Sequence, residues 1–189
     1  MLGVALVPIL IGVVGIAVSL MTSANLRGAF GAALAVLMLA IAVSDLRRFI
    51  VPDLLTATAF VLGLIYAARF DVGPISEILF ECLLRATATA LPFLALMLLY
   101  EWWRGQPGLG LGDVKLAAVA GVWLDWFTIV AVIEVAALIA LGVFGISRYV
   151  LRRPVGATTP LPFGLFLAPA IWVGWIGQTL LLSPLAARS

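Results

Sequence analysis

Long stretches of this chain carry no charged side chain, and this feature limits what the chain can fold into more than any other. Residues 1–25 and 154–187 contain no Asp, Glu, Lys or Arg, and only 11% of the 189 residues are charged. The hydrophobic fraction is 65% and the mean hydropathy is +1.24, whereas a soluble domain is about half apolar and about a quarter charged. A 20.0 kDa protein cannot bury this much apolar surface within itself, so a lipid bilayer must solvate most of it. The sequence therefore predicts an all-α fold, a polytopic transmembrane helix bundle.

Apolar segments separated by charges, glycines and prolines predict about six to seven membrane helices, in a single membrane-embedded domain that comprises residues 1–189. The predicted segments are 2–22, 28–45, 53–70, 77–100, 112–124, 126–148 and 160–183. The first is interpreted as a retained helix, because it lacks the positively charged start of a secretory signal. The fifth is short for a complete span and is either a short crossing or a half-buried helix. Glu134, deep in the sixth segment, either pairs with Arg85, faces a wet cavity, or marks a helix that lies shallower in the membrane.

Lysines and arginines are distributed unequally between the two sides of the predicted bundle. If the N-terminus is cytoplasmic and the helices alternate in direction, seven basic residues fall on the cytoplasmic side and four on the other, as the positive-inside tendency requires. In this orientation the end of the second helix and the start of the fifth lie at the same face. The net charge of +2 and the scattered basic residues give no indication of nucleic-acid binding, and membrane lipid is the expected surrounding partner.

The absence of histidine and the presence of a single cysteine, Cys82, exclude several kinds of catalytic site. A Ser-His-Asp triad, a Cys-His pair, a multi-cysteine zinc site and a disulfide framework cannot form. A Ser-Lys pair could use Lys115, but no serine lies near it in sequence. Lys115 is instead expected to extend toward the membrane interface, where it would favour the ionised form of Asp113 if near enough. No metal site is predicted.

Asp45 and Asp113 each lie at the end of an apolar stretch. An ionisable side chain at membrane depth is costly and is therefore a functional-site hypothesis, and two carboxylates that meet would share a proton. Each also has a structural alternative. Asp113 could be the N-cap of the helix that follows it, and Asp45 could be the counter-ion of Arg47 and Arg48.

Three short blocks of sequence carry a resemblance to a known family. They are Asp45 followed by Pro52-Asp53 and Leu55-Thr56; then Gly110-x-Gly112-Asp113-x-Lys115-Leu116, continuing to Gly121-x-Trp123-Leu124; and Leu161-Pro162-Phe163-Gly164-Leu165-Phe166-Leu167-Ala168. In this order and at this spacing, the blocks resemble the type IV prepilin peptidase family. Together they cover nearly the whole chain.

The resemblance implies an aspartyl endopeptidase of the bacterial inner membrane that removes the short basic leader from prepilins or pseudopilins at the cytoplasmic face. It implies no cofactor and no metal. It places Asp45 and Asp113 on the two catalytic aspartates, one ionised to activate water and the other protonated to stabilise the oxyanion and later protonate the leaving nitrogen. It assigns supporting or substrate-binding roles to Gly110, Gly112, Lys115, Pro52, Asp53, Pro162, Phe163 and Gly164, with the third block near the aspartates.

Longer members of the family carry two Cys-x-x-Cys pairs and also methylate the new N-terminus. This chain has one cysteine and resembles the short, peptidase-only form of tight-adherence (Flp-type) pilus systems. One alternative is a non-enzymatic transporter or assembly subunit that uses intramembrane carboxylates for ion passage, but it does not account for the three blocks. Another is a presenilin-like protease that cuts helices within the membrane; it shares the Gly-x-Gly-Asp motif but differs at the Asp45 and Pro162 blocks.

Overall fold

A computed structural model describes residues 13–19, 21, 26–105, 110–146 and 162–186, with the side chains of the last helix described as far as residue 181. Helix α1 is described over residues 13–19. The helices that follow are α2 (Leu26–Arg48), α3 (Asp53–Phe70), α4 (Ile75–Arg104), α5 (Leu111–Trp123), α6 (Trp126–Gly145) and α7 (Gly164–Ala186). No strand occurs among the described residues. The predicted all-α class is confirmed.

The observed helix bounds differ from the predicted ones by only a few residues. Helix α3 matches its prediction at both ends, whereas α4 begins two residues earlier than predicted and extends four residues further, to Arg104. Helix α7 begins at Gly164, and residues 160 and 161 of its predicted segment lie outside the described part of the chain. Most of the predicted first helix, 2–22, also lies outside it.

Five of the described helices are long and apolar enough to cross a bilayer, namely α2, α3, α4, α6 and the Gly164–Leu181 part of α7. Helix α5 has 13 residues and is therefore about 20 Å long, which is short of a hydrocarbon core of about 30 Å. Large apolar side chains cover the outside of the bundle, including Phe127, which is 84% exposed, and Leu181, which is 73% exposed. The chain is a multi-pass membrane protein in which α5 is too short to span alone.

Helices α3 and α5 run parallel to each other. At one end the Lys115 amine lies 2.6 Å from the Asp53 carboxylate, and at the other Gly63 packs directly against the Trp123 side chain. The Trp123 indole N–H donates a hydrogen bond of 2.8 Å to the Ala59 carbonyl. The N-termini of α3 and α5 therefore lie at the same end of the bundle.

Helices α2 and α7 run antiparallel, and this brings two further helix ends to the same place. Gly164 lies beside Asp45 near the end of α2, and Gly31 near the start of α2 packs against the Trp175 ring. Because only four residues, 49–52, connect α2 to α3, the C-terminus of α2 meets the N-termini of α3, α5 and α7. We call this end of the molecule the aspartate end.

Helix α5 lies in the middle of the bundle and is buried over most of its length. Its buried residues are Asp113, Leu116, Ala117, Val119, Ala120, Gly121, Val122 and Trp123. A Cβ atom at Gly121 would lie 2.5 Å from the Ala86 Cα, so α4 approaches α5 backbone to backbone, as small residues permit in membrane proteins. Helix α4 runs antiparallel to α5, since Ala86 lies at the far end of α5 while Phe93 contacts Phe163, next to the start of α7.

The short helix α5 ends among polar groups supplied by its neighbours. The side-chain amide of Gln178 donates to the Trp123 carbonyl (2.9 Å) and accepts from the Asp125 N–H (3.2 Å). Arg85 Nε donates to the Gly121 carbonyl at 3.3 Å. The last carbonyls of a helix lack intrahelical partners, and an unpaired backbone group is costly away from water. These side chains therefore allow α5 to end inside the bundle and α6 to begin after two intervening residues.

The interpretation that Glu134 pairs with Arg85 is wrong. Arg85 instead lies 3.9 Å from Glu81 on its own helix. Glu134 is exposed on the outer side of α6, between Val130 and Leu138, which are 63% and 60% exposed. It therefore belongs to the outer surface of the bundle.

Candidate active site

Asp45 lies in the last turn of α2 and is held against the first turn of α7. It is 5% exposed, and its Oδ2 accepts a hydrogen bond of 2.9 Å from the Leu165 N–H. The first N–H groups of a helix have no intrahelical partner, and the helix dipole favours a negative charge beside them. The start of α7 thus offers a buried carboxylate the groups that stabilise its charge.

Asp45 is not the counter-ion of the two arginines that follow it. Arg47 and Arg48 are exposed, whereas Asp45 is buried. The ion pairs among the described residues join Lys115 to Asp53 and Arg85 to Glu81, so neither arginine pairs with Asp45. The hydrogen bond from α7 takes the place of a cation.

Asp113 lies in the first turn of α5 and is 8% exposed. The N-cap of α5 is Gly110, so Asp113 is not the N-cap; its carboxylate instead interacts with the Gly110 N–H, much as the third helical residue does in a capping box. Burial, the largest cause, and the charge of Asp45 raise the pKa of Asp113 from 3.8 to about 6, while the Gly110 N–H lowers it. The structure therefore brings the two predicted aspartates close enough for their charges to interact.

Three glycines of the predicted blocks lie near the aspartates. Gly112 and Gly164 allow close packing that a side chain would block, whereas close packing does not require a glycine at Gly110. A Cβ atom at Gly112 would lie 2.7 Å from the Val51 Cβ, and one at Gly164 would lie 2.9 Å from the Asp45 Oδ2. A Cβ atom at Gly110 would have no neighbour closer than 3.8 Å, which is an ordinary contact. The three glycines of the predicted blocks therefore differ in what they contribute.

Lys115, Pro52 and Asp53 form a more exposed group at the aspartate end. Pro52 is the N-cap of α3, and Asp53, its first residue, accepts a hydrogen bond of 2.6 Å from the Lys115 amine. The side chains of Lys115 and Asp53 are 44% and 79% exposed, so their pairing contributes at most about 1 kcal/mol. Lys115 is thus paired with a carboxylate rather than with a serine, and its charge is directed to Asp53 rather than to Asp113.

The third predicted block continues the site from α7. Pro162 and Phe163 are partly buried just before the helix, and the Phe163 ring lies 6.2 Å from the Phe93 ring of α4. The Leu165 N–H that reaches Asp45 also approaches the Pro162 carbonyl at 3.3 Å. Gly164 therefore lies directly beside Asp45, while Leu161 falls outside the described residues.

Two groups at the site were not predicted from the sequence. Leu165 contributes its backbone N–H, which no side-chain pattern can reveal; only the position at a helix start could have suggested it. Val51 is 8% exposed and packs against both Gly112 and Gly164. The available signal for Val51 was an apolar residue within the short connection between two helices.

These features define a class of protein: a multi-pass helical membrane protein with two buried, interacting carboxylates at one end of the bundle. The family model described as the type IV leader peptidase family matches residues 32–146, a range that includes both Asp45 and Asp113. The chain belongs to the type IV leader peptidase family. The block around Gly164 lies beyond the matched range.

Individual relatives carry corresponding names. The prepilin leader peptidase/N-methyltransferase of Aeromonas salmonicida is 30% identical over 136 residues, which are 72% of this chain and 45% of that protein. The leader peptidase HopD of Salmonella typhimurium is 32% identical over 138 residues, 72% of this chain and 86% of HopD. The prepilin leader peptidase/N-methyltransferase of Escherichia coli is 28% identical over 131 residues, which are 69% of this chain and 55% of that protein. The chain thus spans about half the length of the two bifunctional relatives. No solved structure matches it significantly.

Proposed function

We propose that this protein is an aspartyl endopeptidase that removes the leader from type IV or Flp-type prepilins or pseudopilins, with Asp45 and Asp113 as its catalytic pair. The observation that supports this most is the burial of two interacting carboxylates, of which Asp113 has a pKa raised to about 6. Two close carboxylates away from water destabilise a fold. Such an arrangement is expected where a reaction requires one proton to be shared between two acids.

The proposed reaction is the direct attack of water on the scissile peptide bond. The ionised carboxylate takes a proton from water while the water oxygen bonds to the carbonyl carbon. The protonated carboxyl donates a hydrogen bond to the developing oxyanion and then gives its proton to the leaving nitrogen as the C–N bond breaks. No covalent bond between enzyme and substrate is needed.

The substrate class follows from the family and from the relatives, which are named as leader peptidases acting on prepilins. These names support a precursor protein as the substrate of this chain. The proposal is limited to removal of the leader.

The distribution of basic residues supports a bacterial inner-membrane location with the aspartate end toward the cytoplasm. Basic side chains at the aspartate end of the described residues outnumber those at the opposite end. The first group is Arg47, Arg48, Arg104 and Lys115, and the second is Arg27, Arg69 and Arg85. A basic cytoplasmic side is the usual arrangement.

The proposal can be tested by co-expression with a prepilin and by detection of the shortened product in membranes. Asp45→Asn and Asp113→Asn are compared with wild type at equal membrane levels. Glu77→Gln is a matched control, since Glu77 is an exposed carboxylate at the opposite end of the bundle.

We expect the wild type and Glu77→Gln to cut the precursor and each aspartate variant to fail. Cleavage by either aspartate variant at the wild-type rate would remove that residue from the catalytic pair. If the wild type cuts no prepilin or pseudopilin precursor, the non-enzymatic transporter or assembly function becomes the better account.

A further inference from the structure

The two aspartates are held by different backbone groups. Asp45 accepts a 2.9 Å hydrogen bond from the Leu165 N–H, and the Gly164 N–H is a second amide that interacts with the same carboxylate. Among the backbone amides of the described residues, Asp113 interacts with one, the Gly110 N–H at the start of its own helix. We infer that the N-terminus of α7 holds Asp45 ionised as the general base, so that Asp113 carries the shared proton. This inference rests on the proposed function and assigns a role to each member of the same pair.

The partners of Asp45 favour its ionised form. Hydrogen bonds from N–H groups to an ionised carboxylate are stronger than those between neutral groups, and they stabilise the charged form over the protonated one. Because α7 continues for 23 residues from Gly164, the dipole at its start adds to the effect.

The surroundings of Asp113 favour its protonated form. It is buried in the first turn of the central helix α5, and both its burial and the charge of Asp45 raise its pKa to about 6. Lys115, the cation closest to it in sequence, pairs with Asp53. A negative charge at Asp45 therefore favours the proton on Asp113 up to about pH 6.

The remaining charged groups at this end do not reverse the assignment. Helix α2 carries Arg47 and Arg48, which are exposed; α3 contributes Asp53 and α5 contributes Lys115, which neutralise each other. Helix α4 ends at this face with Glu101 and Arg104, which are also exposed, and α7 has no charged residue. Burial and the two carboxylates are thus left as the main influences on where the proton lies.

Gly164 is the positioning residue in this arrangement. A Cβ atom there would lie 2.9 Å from the Asp45 Oδ2 and 3.2 Å from the Asp45 Cγ, so any other residue would push the carboxylate away from the Leu165 N–H. A Cβ atom at Gly177, on the same helix, would meet no atom of a neighbouring element within 4 Å. An alanine at Gly177 is therefore a matched control for an alanine at Gly164.

The reaction balances with these roles. Asp45 takes a proton from water as the water oxygen bonds to the carbonyl carbon, and Asp113 hydrogen-bonds to the oxyanion. Asp113 then gives its proton to the nitrogen as the C–N bond breaks, which releases a carboxylic acid and an amine. At that point Asp45 is protonated and Asp113 is ionised. Return of the proton from Asp45 to Asp113 restores the starting state.

The assignment can be tested without a cleavage assay, by infrared detection of protonated carboxyl groups during a pH titration of the purified protein. Subtracting the spectrum of the Asp45→Asn/Asp113→Asn double variant from that of Asp45→Asn isolates the Asp113 carboxyl. Subtracting the double-variant spectrum from that of Asp113→Asn isolates the Asp45 carboxyl. We expect the Asp113 band to persist to higher pH than the Asp45 band. The reverse order, or equal midpoints, would overturn the assignment.

The role of α7 is tested by adding Gly164→Ala to the Asp113→Asn background. We expect the Asp45 band to persist to higher pH than without the alanine, and Gly177→Ala to leave it unchanged. If the Asp45 band of folded Gly164→Ala protein disappears at the same pH as without the alanine, α7 does not stabilise the charge of Asp45. If the Gly164→Ala protein does not fold, the order of the two bands still decides the assignment. Cleavage by both aspartate variants would instead contradict the proposed function itself.

Discussion

The two glycines of the Gly-x-Gly-Asp motif are predicted to respond differently to the same substitution. In Gly112→Ala the new Cβ would lie 2.7 Å from the Val51 Cβ and 2.8 Å from its Cγ2, both far inside ordinary contact. Val51 is buried, and its Cγ2 also lies 3.3 Å from where a Gly164 Cβ would be, so it cannot move away freely. The start of α5 must therefore shift, and Asp113 shifts with it.

The size of the effect follows from the overlap. Relief of the contact to Val51 requires a displacement of roughly 0.7 Å in a tightly packed region. A misplacement of about 1 Å at a catalytic group can cost about 100-fold in rate. We expect Gly112→Ala to lower kcat/KM about 10- to 100-fold, which corresponds to about 1.4–2.8 kcal/mol. Overpacking should also destabilise the fold by about 1–3 kcal/mol.

The matched control is Gly110→Ala, whose Cβ would meet nothing closer than 3.8 Å. Alanine is a poorer N-cap than glycine, so a loss of about 1 kcal/mol in stability is expected, with kcat/KM within a few-fold of wild type. The assay is cleavage of a purified precursor by detergent-solubilised protein, with thermal unfolding measured in parallel. Equal losses of activity in the two variants, or normal activity in Gly112→Ala, would refute the packing argument.

Three further outcomes are expected. Since the pKa of Asp113 is raised from 3.8 to about 6, its protonated form favours the fold below about 3.8, and this stabilisation is lost as pH rises through about 6. Thermal unfolding in detergent should show that loss of stability in wild type and not in Asp113→Asn. The value of kcat/KM should also fall as Asp113 ionises, and a kcat/KM that stays constant across pH 6 would contradict this. Lys115→Met should leave that pH profile unchanged and alter stability by at most about 1 kcal/mol, because Lys115 pairs with Asp53; a shifted profile would show that Lys115 acts on Asp113. Gln178→Ala should lower stability by about 1–3 kcal/mol, because it removes two hydrogen bonds at the α5–α6 junction; unchanged unfolding would show that other groups satisfy that junction.

The sequence predicted the helices well because the signal that defines them is long and strong. Uncharged segments of about 20 residues have few alternatives to a membrane helix, and glycine, proline and charges marked their ends. The shortness of α5 was visible in the same way. The position of Asp45 and Asp113 at one end also followed, since alternation of helix direction places both there; their close approach did not follow from the sequence.

Details that depend on packing between distant segments could not be read from the sequence. The Leu165 N–H lies 120 residues from Asp45, and a backbone group has no sequence signature. The pairing of Lys115 with Asp53 and the position of Glu134 on the outer surface depend on how the helices are rotated about their axes. Segments that are apolar on every side carry little information about that rotation.

The most direct test of the central claim is single-turnover cleavage of a purified prepilin by purified wild type, Asp45→Asn, Asp113→Asn and Glu77→Gln, each shown to be folded. If the two aspartates form the catalytic pair, each Asn variant should lose at least about 100-fold in rate, within the range for general acid–base groups, while Glu77→Gln matches wild type. A folded Asp45→Asn or Asp113→Asn protein that cuts within a few-fold of the wild-type rate would contradict the account.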